Sequence, residues 1–243
     1  MAEIQNMCKA GVIHQMAHVG DTISDGTYTY TIIGINQDKP SDESGNLLPE
    51  NSYGDVLTLM ALGAPKGVTN GQPVTMNASA TPWGVNGAPM NSISSNSGSW
   101  ASSLMRNATM PQYLAKLPQA TQNAIGYVQK VTDDGSTSSR SNSVTGDKCF
   151  LLSGKEIFGG SGAGNGSWCT TNEANATFQY QYFQSIATSA ESRNINNSVD
   201  YQWWLRSPDY GFDNRVFCYV HAGRSSSISA SVSSGVFPAF CIY

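Results

Sequence analysis

The chain has 243 residues, enough for one large domain or two small ones around a real hydrophobic core. Only 12% of its residues are charged, well below the usual share, while Ser, Asn and Thr number 32, 19 and 17. The net charge of −4 offers no basic field to a nucleic-acid backbone, and a mean hydropathy of −0.27 without a long apolar run argues against membrane insertion.

Residues 1–10 lack a basic segment followed by an apolar run, so no secretory signal is expected. The chain is expected to stay in the cytoplasm or to leave it by assembly into a virion. Residues 4–19 show weak helical spacing, with Ile4, Cys8 and Val12 on one face and Gly11 interrupting it. This segment could pair subunits of a homo-oligomer. His14 and His18 stand four apart, as a metal pair on a helix would, yet no third ligand is evident. Residues 27–35 and 56–62 read as strands, and 63–96 as either a functional loop or irregular structure packed on the core.

Helical signals run from Ser99 to Val131. Ser99 can cap a first helix reaching Arg106, and Pro111 and Pro118 suit first helical positions. Leu117, Thr121, Ala124, Val128 and Val131 share one helical face. Residues 133–147 read as a polar loop and 148–152 as a strand. Ser153 and Glu156 form a capping box that opens a short helix, and Phe178, Tyr182 and Ile186 mark another helix face. No repeat or linker divides the chain, so a single domain spans residues 1–243.

The C-terminal third carries the most information. Residues 216–222 alternate strictly, with Val216, Cys218, Val220 and Ala222 on one face and Phe217, Tyr219 and His221 on the other. Gly223 permits a turn, and residues 227–233 alternate again, which predicts a hairpin. The aromatic row is either a recognition surface or the second buried face of a sheet covered on both sides.

Catalytic templates fail. Gly159-Gly-Ser161-Gly-Ala163 misses the last glycine of G-x-S-x-G, and the glycines of 162–166 lack a dinucleotide-site context. Asp133-Asp134 reads as turn chemistry, and Cys218 and His221 fall on opposite strand faces. Five cysteines without a C-x-x-C pair suit buried thiols in a reducing compartment. We therefore expect no catalytic centre, no metal site and no cofactor.

Trp203-Trp204-Leu205-Arg206-Ser207-Pro208, followed by the hairpin and Gly235-Val236-Phe237-Pro238-Ala239, resembles the bacterial and phage domains that end in WWLRSP…GVRPA. It also resembles their specialised branch, the variable proteins of diversity-generating retroelements. Weaker matches extend upstream to about Val19, and Phe237 departs from the arginine common at its position. The resemblance implies an α+β, C-type-lectin-like single domain of the formylglycine-generating-enzyme type. The paired cysteines of those enzymes have no counterpart that can be placed. Gln72-Pro73-Val74 breaks the calcium-lectin pattern, so calcium-dependent sugar binding is not implied.

In the retroelement branch, template adenines mutate and the diversified codons become NNY, which cannot encode Trp, Gln, Met, Lys or Glu. Those five types occur 38 times in residues 1–207 and never in 208–243. The resemblance implies a hypervariable region at 203–243 that binds a protein or glycan target on a host or cell surface. Its expected ligand contacts are Asp209, Tyr210, Asn214, Arg215, Phe217, Tyr219, His221, Arg224, Ser225, Ser226 and Ser227, all facing solvent. The alternative is an undiversified, structural lectin-like domain of a virion or cell surface.

Overall fold

A computed structural model describes residues 1–60, 88–135, 141–159, 178–185, 202–209, 216–221 and 224–243. Helix α1 (Ala2–Lys9) buries Cys8 and ends before Gly11, whose φ of 66° few side chains would tolerate. Strands β1 (Thr22–Ser24) and β2 (Thr29–Ile35) are joined by a turn built on Asp25. Its carboxylate accepts from the Thr27 and Tyr28 amides and from the Tyr30 and Thr121 hydroxyls. Strand β3 (Leu57–Met60) follows, then α2 (Ser99–Ser102), a π-helical turn at Met105–Thr109, α3 (Met110–Leu114) and α4 (Gln119–Ala124). The remaining elements are β4 (Ile125–Gly126), β5 (Val128–Asp133), β6 (Asn142–Asp147), α5 (Gly154–Phe158), α6 (Gln181–Ser185), β7 (Gln202–Pro208), β8 (Val216–His221), β9 (Arg224–Ser229) and β10 (Ala239–Ile242).

These strands form three antiparallel sheets, ordered β1-β2-β3-β10-β4, β5-β6 and β7-β8-β9. Short helices with small antiparallel sheets make the architecture α+β. Both β3 and β10 are buried along their whole length, so they form the spine of the five-stranded sheet. Gln5 ties α1 to the carbonyls of Ala124 and Tyr243, so the N-terminal segment packs on its own chain. No helix among the described residues is long and apolar enough to cross a membrane.

Four local expectations are corrected. The helix read through Val131 stops at Ala124, and Val128–Asp133 is a strand. Its period of two buries Val128, Lys130 and Thr132, and pairing with β6 satisfies a backbone that the helix would have satisfied internally. Asn142–Asp147 of the expected 133–147 loop is therefore β6, while the expected strand at 148–152 is reduced to a single bridge between Phe150 and Ala239. Cys8, Cys149 and Cys241 are buried thiols as expected, but Cys218 is disulfide-bonded, which overturns the all-thiol reading. The capping box stands as read: Ser153 accepts from the Glu156 amide, and the Glu156 carboxylate accepts from the Ser153 amide. Of the expected face of Phe178, Tyr182 and Ile186, the last lies outside the described residues and α6 begins after Phe178.

The same Glu156 anchors a buried ionic network that joins the sheets. Arg206 from β7 grips it with both terminal nitrogens, at 2.5 and 2.9 Å. The guanidinium also donates to Thr132 Oγ1 and to the carbonyls of Leu151 and Val131. Lys130 from β5 donates to Asp38, Glu156 and Tyr180, and its ammonium sits 3.7 Å from the Phe150 ring centroid. Asp38 in turn accepts from Thr58 on β3, from Tyr180, and from Cys241 on β10. Gly34 leaves room for Tyr180, because a Cβ there would fall 2.8 Å from its ring. Two cations and two carboxylates thus share one interior site, each with hydrogen-bond partners.

Burial pushes the Glu156 carboxyl up, but the Arg206 and Lys130 charges outweigh it and hold it at about 2. Ionised Glu156 therefore stabilises the fold fully above its ordinary value of 4.5, and that contribution is lost as pH falls toward 2. Glu156→Gln should cost about 3–5 kcal/mol near neutrality by stranding a buried charge. It should also flatten the acid limb of stability, read from urea unfolding at a series of pH values. Trp204→Ala, which empties a fully buried indole site, should cost about 3–5 kcal/mol in the same assay.

Candidate functional site

The C-terminal sheet is built outward from β7. Trp203, Trp204, Leu205 and Arg206 are all buried there. On one edge β7 pairs with β8. On the other, Trp204 and Gln202 exchange hydrogen bonds with Gly235, both at 2.9 Å. Gly235 is required by this approach, since a Cβ would meet the Gln202 carbonyl oxygen at 2.7 Å. The Trp204 indole donates to the Ala88 carbonyl at 2.7 Å, and Trp203 packs edge-on against Phe237 at 5.6 Å. The register between β7 and β8 slips between Trp204 and Pro208, where the Arg206 amide pairs with the Leu152 carbonyl instead.

The hairpin exists, but its second strand is β9 at Arg224–Ser229 rather than 227–233. The expectation that its aromatic row faces solvent is corrected for Phe217, 0% exposed, and Tyr219, 8% exposed. Cys218 and Val220, of opposite side-chain parity, are buried as well, so β8 is covered on both faces. Residues 88–96 supply cover: Asn96 donates to the Val216 carbonyl, the Asn91 amide to Ala230, and Ser94 pairs with Ser229. Strict alternation cannot separate a half-buried strand from one whose two faces meet different layers. Asp209 and Ser225 are also buried, whereas Arg224 is exposed and Ser226 and Ser227 are half-buried. Tyr210, Asn214, Arg215 and the side chain of His221 lie outside the described residues.

One part of this surface escaped the sequence reading. Ile93 is 68% exposed, Leu104 39% and Val232 38%, three of the six exposed large apolar side chains among the described residues. Hydrogen bonds tie them to one region: the Leu104 amide donates to Asn91, the Asn91 amide to Ala230, and the Val232 amide to Ser229. Residues 88–105 and 225–243 contain no Asp, Glu, Lys or Arg. An apolar, hydroxyl-rich rim therefore borders the Ser229 end of β9, with Arg224 at the other end of that strand. Its only sequence signal was an uncharged serine-rich run, which fixes no position in space.

The other candidates resolve into local structure. His14 lies in a 3-10 turn and His18 in the loop after it, so no helix presents them as a pair. His14 Nδ1 sits 2.7 Å from Asp55, and the His18 amide donates to Asp21. Burial raises the Asp55 carboxyl, but donors on Asn36 and His14 outweigh it and hold it below the ordinary range. Among the described residues, no group of three His, Cys, Asp or Glu side chains could hold a metal ion. Asp133 accepts from the Gly135 amide, which is turn chemistry. Cys218 is held in its disulfide, and burial raises the Cys8, Cys149 and Cys241 thiols above their ordinary range, Cys8 to about 12.

A family model described as "Domain of unknown function (DUF6273)" matches residues 77–243, more than half of the chain. No curated protein and no solved structure matches.

Burial separates the proposed contacts into two classes with opposite expected behaviour. Phe217→Ser should destabilise the fold by about 3–5 kcal/mol through the cavity it leaves. Arg224→Ser and Ser227→Ala should each stay within about 0.5 kcal/mol. Thermal or chemical unfolding of the three variants distinguishes this arrangement from an outward aromatic row, in which Phe217→Ser would be neutral.

Proposed function

The chain belongs to the DUF6273 family, and we propose that it is a target-binding protein whose C-terminal sheet and the rim beside it contact a protein or glycan on a host or cell surface. The observation that carries this reading is the concentration of exposed apolar side chains, Ile93, Leu104 and Val232, along an uncharged rim beside β9. Arg224, Ser226 and Ser227 supply polar contacts farther along β9. Exposed aliphatic anchors surrounded by hydroxyls can bind without the desolvation cost of a buried unpaired charge.

The finer fold reading is C-type-lectin-like. It is supported by the buried strand Gln202–Pro208 on which the C-terminal sheet is built, the Ser153–Glu156 cap that this strand's Arg206 grips, and the return of residues 239–242 to the central sheet. We further read the C-terminal region as the diversified segment of a retroelement variable protein. Support comes from the absence of Trp, Gln, Met, Lys and Glu after residue 207. Diversification in this frame would act on Arg224, Ser226, Ser227 and their exposed neighbours, since Phe217 and Tyr219 serve the core. The reading assigns no catalysis, metal or cofactor.

Two measurements test it. Fluorescently labelled protein should bind some members of a panel of bacterial cells saturably in flow cytometry. A double variant, Ile93→Asp with Arg224→Ser, should bind at least about tenfold more weakly, about 1.4 kcal/mol, with an unchanged unfolding midpoint. Equal binding by the variant would remove the rim from the site. Sequencing around the gene should find a near-copy of the segment encoding 203–243 that differs at adenines, beside a reverse transcriptase gene. A locus with neither would return the chain to the structural-domain alternative.

A further inference from the structure

We propose that a cleft of about 300 Å³ beside the π-helical turn and α3 binds a small zwitterion, an α-amino acid with an aliphatic or thioether side chain. None of its lining residues belongs to β7, β8 or β9, so the proposal stands apart from the target-binding surface. Its volume lies at the lower end of small-molecule sites, which start at about 300 Å³. The apolar lining comes from buried Met110 and half-buried Leu114 and Tyr127.

The walls are held in place before any ligand arrives. Buried Asp147 accepts from Arg106 Nε at 2.7 Å, and its other oxygen accepts from Trp100 Nε1 and Thr145 Oγ1, each at 2.8 Å. The Arg106 charge is thereby neutralised within the wall. Glu43 sits on a loop in which Asp42 accepts from the Ser44 and Asn46 amides, both at 2.9 Å. That loop lies directly on β6: a Cβ on Gly146 would fall 2.0 Å from the Asp42 carbonyl oxygen. In the same cleft, the Lys148 ammonium stands 5.1 Å from the Tyr127 ring centroid. Burial, and after it the Glu43 charge, push the Tyr127 hydroxyl up, which places the Glu43 field at the same ring.

Glu43 and Lys148 are the two lining charges left over. They share one small cleft, yet among the described residues neither takes part in an ion pair. Opposite charges that do not close on each other leave space for a ligand carrying both signs. A simple anion would meet Lys148 but also face Glu43, and a simple cation the reverse. A zwitterion satisfies both, with its ammonium toward Glu43, its carboxylate toward Lys148 and its side chain over Met110 and Leu114.

Saturation-transfer NMR on the full chain, with L-leucine and L-methionine as probes, tests this directly. N-acetyl-L-leucine keeps only the negative charge and L-leucinamide only the positive one. Both amino acids should bind at millimolar concentration, and each single-charge analogue about tenfold more weakly. Lys148→Gln should abolish the preference for leucine over leucinamide, and Glu43→Gln the preference for leucine over N-acetyl-leucine. Glu43 is exposed and Lys148 half-buried, and neither takes part in an ion pair among the described residues, so unfolding midpoints should barely move. No saturation transfer from either amino acid would overturn the proposal, as would a charge preference that survives both substitutions.

Discussion

Everything in the fold that can hold a surface steady depends on the buried exchange between Arg206 and Glu156, extended through Lys130 to Asp38. Taking four charges out of water is costly, and their mutual attraction offsets that cost only when geometry and hydrogen bonding are nearly complete. Here they are. Arg206 divides its donors between Glu156, Thr132 and two backbone carbonyls, and Asp38 gathers donors from Lys130, Thr58, Tyr180 and Cys241. Such a network tolerates few alternative arrangements, because each displaced partner strands a buried charge or dipole. Its members come from β3, β5, β7, β10, the first turn of α5 and the segment before α6, so one interaction sets the relative position of all three sheets.

That constraint explains how β7 can carry a peripheral sheet. The strand is held from beneath by Arg206, from one edge by Gly235 and from above by the bond between Trp204 and Ala88. The hairpin of β8 and β9 then projects from a strand that has little freedom to shift. Its inner strand contributes to the core on both faces, and the disulfide at Cys218 adds a covalent tie. Variation is physically cheap only where side chains reach solvent, at Arg224, Ser226, Ser227 and the rim formed with residues 91–104. The surface we propose for binding is thus narrower along the hairpin than the aromatic row suggested, and broader toward the segment that covers the sheet.

Local signals were legible where a single turn or strand decides them. The Ser153–Glu156 capping box, the strand read at 27–35 and found at Thr29–Ile35, and the hairpin all rest on short-range patterns, and all are present. The failures arose where two periods compete. Residues 117–131 offer a helical face and also, from Val128 on, a strand alternation; the waiting carboxylates of Asp38 and Glu156 draw Lys130 inward and settle it as strand. The same ambiguity governed residues 216–221, whose alternation is what either a surface strand or a twice-covered strand would display.

By itself, then, the sequence determined the capped helix, the strand at the start of the hairpin and the poverty of charge near the C-terminus, because composition and spacings of two to four residues suffice for these; the α+β class came with the family resemblance. Tertiary structure alone decided that both faces of β8 are buried, that Ile93 and Leu104 lie in one region with Val232, and that Glu43 and Lys148 line one cleft. Those residues are separated by up to 139 positions in the chain. Their meeting depends on how three sheets dock around one ionic network, and no local period encodes that docking.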